Sequence, residues 1–474
     1  MNLIEKKLLL IAQKINPNFC YIEKLPQSGS HRQYFRISAE NKSLIGVYNQ
    51  DLKENNAFYS FTHFFVSQNI NVPKIIIIDE TKQFYLLEDL GDETLFSFLT
   101  SHRDNDKIDK TVISYYKQVL QQLPLIQLSG KRGIDFSVSY PRCAFDKQSM
   151  LWDLNYFKYY FLKLANISFD EQLLEDDFHN FINFLLETDS DFFMFRDFQS
   201  RNIMIHHKKP YFIDYQGGRK GALQYDVASL LYDGKADLPP QLREELLQYY
   251  LEQLSTYIPL NTEEFSKYYY GFVLIRILQA LGTYGFRGYY EKKSHFLLSI
   301  PFAVKNLRYL LPKFQFRDKI PTLINVIQQI TESNFEIGYL FPENKLTVSI
   351  SSFSYKNGIP QDLSGNGGGF VFDCRALPNP GRFSEYKNAT GKDKSVIDYL
   401  ERFEEVEKFR KLTTQIVSQA VDNYVARNFS HLMVNFGCTG GQHRSVYFAE
   451  KLVKFFKKQY PNVKIVLKHF YFLS

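Results

Sequence analysis

The chain has 474 residues, enough for roughly three structural units at about 150 residues each, and it can bury a large core without disulfides. With 45% hydrophobic and 23% charged residues, wholesale disorder is excluded. The balance of 57 basic against 51 acidic side chains, +6, is too small to imply a nucleic-acid coat by itself.

Met1 to Ala12 mixes Glu5, Lys6 and Lys7 into an apolar run, which predicts an amphipathic helix and not a signal peptide. Short β-rich runs follow at Tyr34 to Ser38, Ser43 to Tyr48, Lys74 to Asp79 and Gln83 to Glu88. A helix over Asn55 to Ser67, with Phe58, Phe61, Phe64 and Phe65 as apolar positions, interrupts them. From Thr94 to about Ile330 the pattern is helical, broken by a β-rich insert at Phe192 to Asp214. The apolar run Tyr268 to Phe286 carries Arg276 in its middle, which argues against a membrane span.

Residues 336–344, containing Gly338 and Pro342, read as a linker. Beyond it, strands are predicted at Leu346 to Phe353, Phe370 to Leu377, Leu432 to Cys438 and Val463 to His469. Helices are predicted at Ser395 to Arg427 and His443 to Lys458. This order predicts a small α/β domain with a largely parallel sheet. Cys20, Cys143, Cys374 and Cys438 are too scattered for a zinc knuckle or a disulfide framework. The expectation is a soluble cytoplasmic protein.

The segment Phe195-Arg196-Asp197-Phe198-Gln199-Ser200-Arg201-Asn202, followed by Phe212-Ile213-Asp214, carries the first chemistry. Phosphoryl transfer needs an oriented hydroxyl, cations on the phosphates and oxygens that hold those cations. Asp197 can orient and deprotonate an acceptor hydroxyl. Asn202 and Asp214 offer hard oxygens suited to Mg²⁺. Alone, the spacing also fits a polar loop capping a hairpin.

Three further features sit where a kinase needs them. Ser28-Gly29-Ser30 can turn backbone N–H groups toward phosphates, or can be an ordinary hairpin turn. Leu86 to Gly91, with Glu88 and Leu90, joins the β-rich part to the helical part; it can hydrogen-bond an adenine or serve as a plain connector. Asp226 reads as a helix N-cap, with Leu230 and Leu231 packing behind it, and counts as support for the loop and not as catalysis.

Residues 20–320 resemble the aminoglycoside phosphotransferase family, with FRDFQSRNIMI as its catalytic loop and FIDYQ as its metal-binding segment. LLEDLGDETLFSFL and IDYQGGRKGALQYDVASLLYD are most similar to the bacterial branch that phosphorylates cell-wall amino sugars. The resemblance implies an α+β bilobal protein-kinase-like fold over residues 1–335, with an N-lobe near 1–90 and a C-lobe near 91–335. It also implies ATP, Mg²⁺ and a small sugar acceptor. Phe195 fills the family's loop-histidine position. The strand that usually carries an ATP-binding lysine reads Leu44-Ile45-Gly46-Val47-Tyr48, which leaves Glu54 without its usual partner unless Lys42 or Lys53 substitutes. A nucleotide-binding pseudokinase acting as an adapter is the alternative.

A second constellation is Gly437-Cys438-Thr439-Gly440-Gly441-Gln442-His443-Arg444-Ser445, entered by an apolar strand and left by an amphipathic helix. Glycine amides, a helix N-terminus and Arg444 make an anion-binding turn. The spacing also fits the C-x₅-R loop of cysteine phosphatases, with Asp373 as a conceivable acid.

Residues 345–474 resemble the C-terminal domain of the RNase adapter family RapZ, through SFSYKNGIP, FVFDCRALPNP, TGKDKSVIDYLER and GCTGGQHRSVYFAEKL. The resemblance implies a phosphosugar site for a ligand such as glucosamine-6-phosphate. Thr439, Gly440, Gly441, Gln442, His443, Arg444 and Ser445 would line it, with Asp373, Arg375 and Asn379 nearby. It also implies RNA binding, although the run Lys451 to Lys458 reads equally as a solvated helix face and no basic tail follows.

Overall fold

The computed structural model describes residues 1–26, 32–40, 42–104, 107–291, 293–333, 346–360, 362, 368–427 and 429–470. Ser28, Gly29, Ser30 and the expected linker 336–344 lie outside the described residues. The chain forms two compact units, Met1–Thr283 with Phe302–Asn334, and Tyr284–Pro301 with Phe335–Ser474.

The first unit opens with helix α1 (Leu3–Gln13), started by a capping box between Asn2 and Glu5. Its apolar face puts Leu8, Ile11 and Ala12 against Phe35, Ile37 and Leu86 of the adjoining sheet. That sheet contains β1 (Tyr21–Lys24), β2 (Gln33–Ala39), β3 (Lys42–Tyr48), β4 (Ile75–Ile78) and β5 (Phe84–Glu88). The strand order is β1-β2-β3-β5-β4 and every pairing is antiparallel. Strand β1 was not expected: it is four residues long and mostly exposed, so its sequence carries no clear alternation.

Helix α2 (Leu52–Ser67) follows β3 and is capped by Asp51, which accepts from the Lys53 and Glu54 amides. Its aromatic face bridges the two lobes. Phe58 stacks on Tyr215 with centroids 5.3 Å apart, Phe65 meets Phe193 and Tyr215 edge-on, and the Thr62 hydroxyl lies 2.6 Å from that of Tyr215. This packing seats the residue beside Asp214 under the N-lobe.

The C-lobe is helical: α3 (Leu95–Ser101), α4 (Lys110–Leu128), α5 (Lys147–Phe157), α6 (Glu171–Leu185), α7 (Leu223–Leu231), α8 (Pro240–Ser255), α9 (Thr262–Gly285), α10 (Ile300–Leu310) and α11 (Pro321–Glu332). Among these lie three small ladders: β6 (Arg103–Asp104) with β7 (Lys107–Ile108), β8 (Phe192–Met194) with β11 (Arg219–Gly221), and β9 (Ile203–His206) with β10 (Lys209–Phe212). Strands β8, β9 and β10 fall in the β-rich insert expected over Phe192 to Asp214, and β11 lies beyond it. They bracket the loops that carry Asp197 and Asp214. No helix among the described residues is long and apolar enough to cross a membrane.

The second unit contains a four-stranded, all-parallel sheet of β12 (Thr347–Ser354), β13 (Gly369–Asp373), β14 (His431–Cys438) and β15 (Lys464–His469), in the order β13-β14-β12-β15. The strands expected from the sequence are present, although the second ends at Asp373, where the Cys374 amide turns to the Gly437 carbonyl at 2.8 Å. The single helix expected over 395–427 is two, α12 (Lys394–Leu400) and α13 (Glu404–Ala426). They part where Glu401 is drawn to Lys451 at 2.6 Å and Phe403 turns onto the core. Helix α14 (Arg444–Gln459) completes the unit and buries Val446, Ala449, Leu452, Val453 and Phe456.

Candidate functional site

The loop from β8 to β9 holds Asp197, and the turn after β10 holds Asp214. Asn202 ties the two together. Its Nδ2 donates to the Asp197 carbonyl at 2.8 Å and lies 3.3 Å from Asp214 Oδ2. Gln216 donates to Asp214 Oδ1 at 2.7 Å. Arg196 and Asp214 adopt positive φ, +82° and +71°, a conformation that side-chain-bearing residues hold only when surrounding structure enforces it.

The enforcing contacts are visible. The Arg196 guanidinium donates to Asp153 Oδ1 at 2.7 Å and to the Tyr225 hydroxyl at 2.8 Å, lying over the rings of Phe145 and Tyr225. Asp226 is fully buried and accepts from the amides of Phe195 and Arg196 at 2.7 and 3.1 Å. Asp226 is not an N-cap: it lies inside α7, whose N-cap is Ala222, and its carboxylate holds the catalytic-type loop instead. Burial pushes this carboxyl up to about 7, against the pull of the two amides. Phe195 supports the same loop from the apolar side, edge-on to Phe198 at 5.1 Å.

Asp197 is half exposed, and Arg276 Nη2 stands 3.6 Å from its Oδ1. Arg276 is 6% exposed and is steadied by the Ser229 hydroxyl at 3.0 Å and by Gln279. In the sequence it read only as a charge interrupting an apolar run, because nothing local links it to a loop 79 positions earlier. Asp214 is open at the cleft, yet crowding by protein and the neighbouring Asp197 charge raise its pKa. The Asp214 carboxylate oxygens and the Asn202 amide oxygen are hard donors of the type Mg²⁺ takes, so these are the side chains that could hold it.

Glu54 does have a cationic partner, but it is neither Lys42 nor Lys53. Arg32, next to the start of β2, places Nη2 3.0 Å from Glu54 Oε1 and is 2% exposed. Its Nη1 donates to the Tyr34 hydroxyl at 3.2 Å. Glu54 also accepts from Asn49 at 2.8 Å. Lys42 is exposed, and Lys53 lies over the Tyr140 ring. Nothing local in the sequence links Arg32 to Glu54, 22 positions later.

Glu88 ends β5, and its carboxylate accepts from the Lys74 amide at 3.3 Å. The carbonyl of Leu90 accepts from the His206 ring at 3.1 Å, so that one acceptor of the connector is already engaged.

In the second unit the loop after β14 surrounds a buried thiol. Cys438 Sγ accepts from the Gly441 amide at 3.2 Å and lies 3.2 Å from the Ser445 hydroxyl. Gly441 has φ +71°, and a Cβ there would stand 2.9 Å from the Ser354 amide nitrogen, so the turn requires glycine. Gln442 donates to the carbonyls of Lys387 and Ala389, and the His443 ring donates to that of Tyr386 at 2.8 Å. Arg444 does not stand free: it is 4% exposed and its Nη1 donates to the Arg375 and Leu377 carbonyls at 2.9 and 2.8 Å. Its Nε has no hydrogen-bond partner among the described residues.

Thr439 and Gly440 are exposed at the loop tip. Asp373, on the strand beside the loop, pairs with Arg375, which covers the Tyr355 ring at 3.8 Å. The pair holds the Asp373 carboxyl below its ordinary range, which is the wrong direction for a general acid. Asn379 accepts from the Gly381 amide at 3.2 Å.

Comparison with known proteins places residues 22–260 in the phosphotransferase enzyme family and matches residues 346–470 to the RapZ C-terminal domain. An RNase adapter protein RapZ of Yersinia pseudotuberculosis is 42% identical over 122 residues, 26% of this chain and 41% of that protein. A nucleotide-binding protein of Acidobacterium capsulatum is 36% identical over 160 residues, 31% of this chain and 50% of its own length. The chain thus spans half or less of these two curated relatives. Among solved structures, the Plasmodium vivax ethanolamine kinase Pv091845 is 14% identical with a TM-score of 0.48, covering 67% of this chain and 90% of its own. Choline kinase LicA from Streptococcus pneumoniae is 16% identical with a TM-score of 0.41, covering 61% and 92%.

Proposed function

This chain belongs to the phosphotransferase enzyme family, and from that premise we propose that it transfers the γ-phosphoryl group of ATP to a hydroxyl of a small sugar, an amino sugar or cell-wall sugar. The observation that carries the reading is the convergence of Asp197, Asn202 and Asp214 on one cleft, joined through the Asn202 amide. Asp197 accepts the proton of the acceptor hydroxyl as its oxygen bonds to the γ-phosphorus. The bond from that phosphorus to the bridging oxygen breaks and ADP leaves. Arg276, 3.6 Å from the Asp197 carboxylate, keeps it aimed. Asn202 and Asp214 would hold Mg²⁺, which neutralises charge on the phosphates. Supply of ATP fits a cytoplasmic location.

The second unit, in this reading, senses a phosphosugar such as glucosamine-6-phosphate. The exposed Thr439–Gly440 tip, the start of α14 and the unpartnered Arg444 Nε are the groups that support it. The test is a screen for ATP consumption over amino sugars and other cell-wall sugars, with and without Mg²⁺, beside titration of glucosamine-6-phosphate into the full chain. Mg²⁺-dependent ADP release with one sugar class supports the kinase. ATP binding without turnover on any acceptor favours a nucleotide-binding adapter, whose RNA binding is then measured directly.

A further inference from the structure

In the phosphotransfer template a strand lysine, paired with a helix glutamate, holds the nucleotide phosphates opposite the metal-holding aspartate. Here the glutamate and the aspartate are present without the lysine. Strand β3, where the lysine is expected, ends at Tyr48. Gln33 of β2 pairs with Tyr48 across the sheet, so Arg32 enters at the level where β3 ends. From there its side chain reaches Glu54 on α2 at 3.0 Å.

The guanidinium is buried but not saturated. Nη1 has Tyr34 as its acceptor. Nη2 is ion-paired to Glu54 without hydrogen-bond alignment, and Nε has no hydrogen-bond partner among the described residues. Leaving buried guanidinium N–H groups unmade is costly unless a ligand completes them. Arg32 therefore pairs with the helix acid, as the template lysine does.

Resting on the kinase reading above, we propose that Arg32 is the phosphate-binding cation of this enzyme, supplied from the strand before the usual one and oriented by Glu54. Its ligand is the di- or triphosphate of the nucleotide. Arginine suits the task because its fork can keep one edge on Glu54 and turn another to phosphate oxygens.

Calorimetric titration of the full chain with ATP, ADP and adenosine, at fixed Mg²⁺, tests this. Arg32→Met should weaken ATP and ADP roughly tenfold or more while adenosine affinity stays within about twofold, and Arg32→Lys should recover part of the loss. Glu54→Gln, which leaves the guanidinium in place but unpaired, should also lower ATP affinity selectively, and it decides the question should Arg32→Met fail to fold. Retention of full ATP affinity in these variants overturns the proposal. So does an equal loss for adenosine and ATP, which marks Arg32 as a staple between sheet and helix. If the unaltered chain binds no ATP, the kinase reading falls and this inference with it. If it binds ATP and only the variants behave otherwise, this inference falls alone.

Discussion

At the scale of single residues, two aspartates near the cleft do different work. In the proposed reaction Asp197 would face the acceptor and Asp214 the nucleotide. Asp197→Asn should lower turnover by about 10² or more, the scale of a lost general base, while ATP binding persists. Asp214→Ala should weaken Mg-ATP instead. Equal loss of nucleotide affinity in both variants, measured by titration, would contradict these roles. Asp226 touches neither substrate. Its carboxyl sits at about 7 when folded, against 3.8 as the ordinary value. The folded chain therefore holds a proton that the unfolded chain has released between those pH values. Stability from this group is present at low pH and is lost as pH rises toward 7. Asp226→Asn should flatten that part of the profile in urea midpoints taken at pH 5 and 7.5. An unchanged slope would mean that the two amides, and not burial, control the group.

At the scale of elements, the turn between β14 and α14 is held by its own side chains. Gln442, His443 and Arg444 all donate to backbone carbonyls on the segment between Arg375 and Ala389. The loop expected from the motif to bind an anion thus turns these polar side chains toward the protein. Arg444→Ala should remove two buried donors as well as any phosphate contact. The expected result is a loss of about 2–3 kcal/mol in phosphosugar affinity together with a lower unfolding temperature of the second unit. Cys438→Ser should keep phosphosugar affinity within about twofold, since the thiol's partners are groups of the loop itself. Phosphate release from a phosphomonoester that depends on Cys438 would favour the phosphatase alternative. The lowered pKa of Asp373 weighs against it, because a carboxyl held ionised by Arg375 has no proton to give.

At the scale of the whole molecule, each candidate site rests on packing of its own. The core beneath the phosphosugar loop is formed by residues between Leu346 and Val463, with Val348, Ile350, Val434, Phe436 and Phe448 at its centre. The phosphotransfer loops rest on α2, α7 and the aromatic layer of Phe193, Phe195 and Tyr215. Substitutions in separate cores add independently. Asp197→Asn should therefore leave glucosamine-6-phosphate affinity within about twofold, and Arg444→Ala should leave ATP affinity unchanged. Calorimetry on both variants checks the pair. A tenfold change in either would reveal coupling between the units.

The amino-acid sequence by itself determined what is encoded locally. The helix of α2 follows from its apolar spacing, the parallel sheet from strands alternating with helices, and the two chemical loops from contiguous motifs. Asp197, Asn202 and Asp214 lie within 18 residues and flank one short hairpin, so their convergence was legible. Gly441 was legible as a turn for the same reason. Only the tertiary structure decided who partners whom across long separations. Arg32 and Glu54 meet through β2–β3 pairing and the placement of α2. Arg276 reaches Asp197 from a helix that in sequence looked merely apolar, and Asp226 turns from a supposed cap into the anchor of the loop. These are charged groups taken out of water. Their neighbours, not their position in the chain, set where they point, and those neighbours exist only once the core has closed around them.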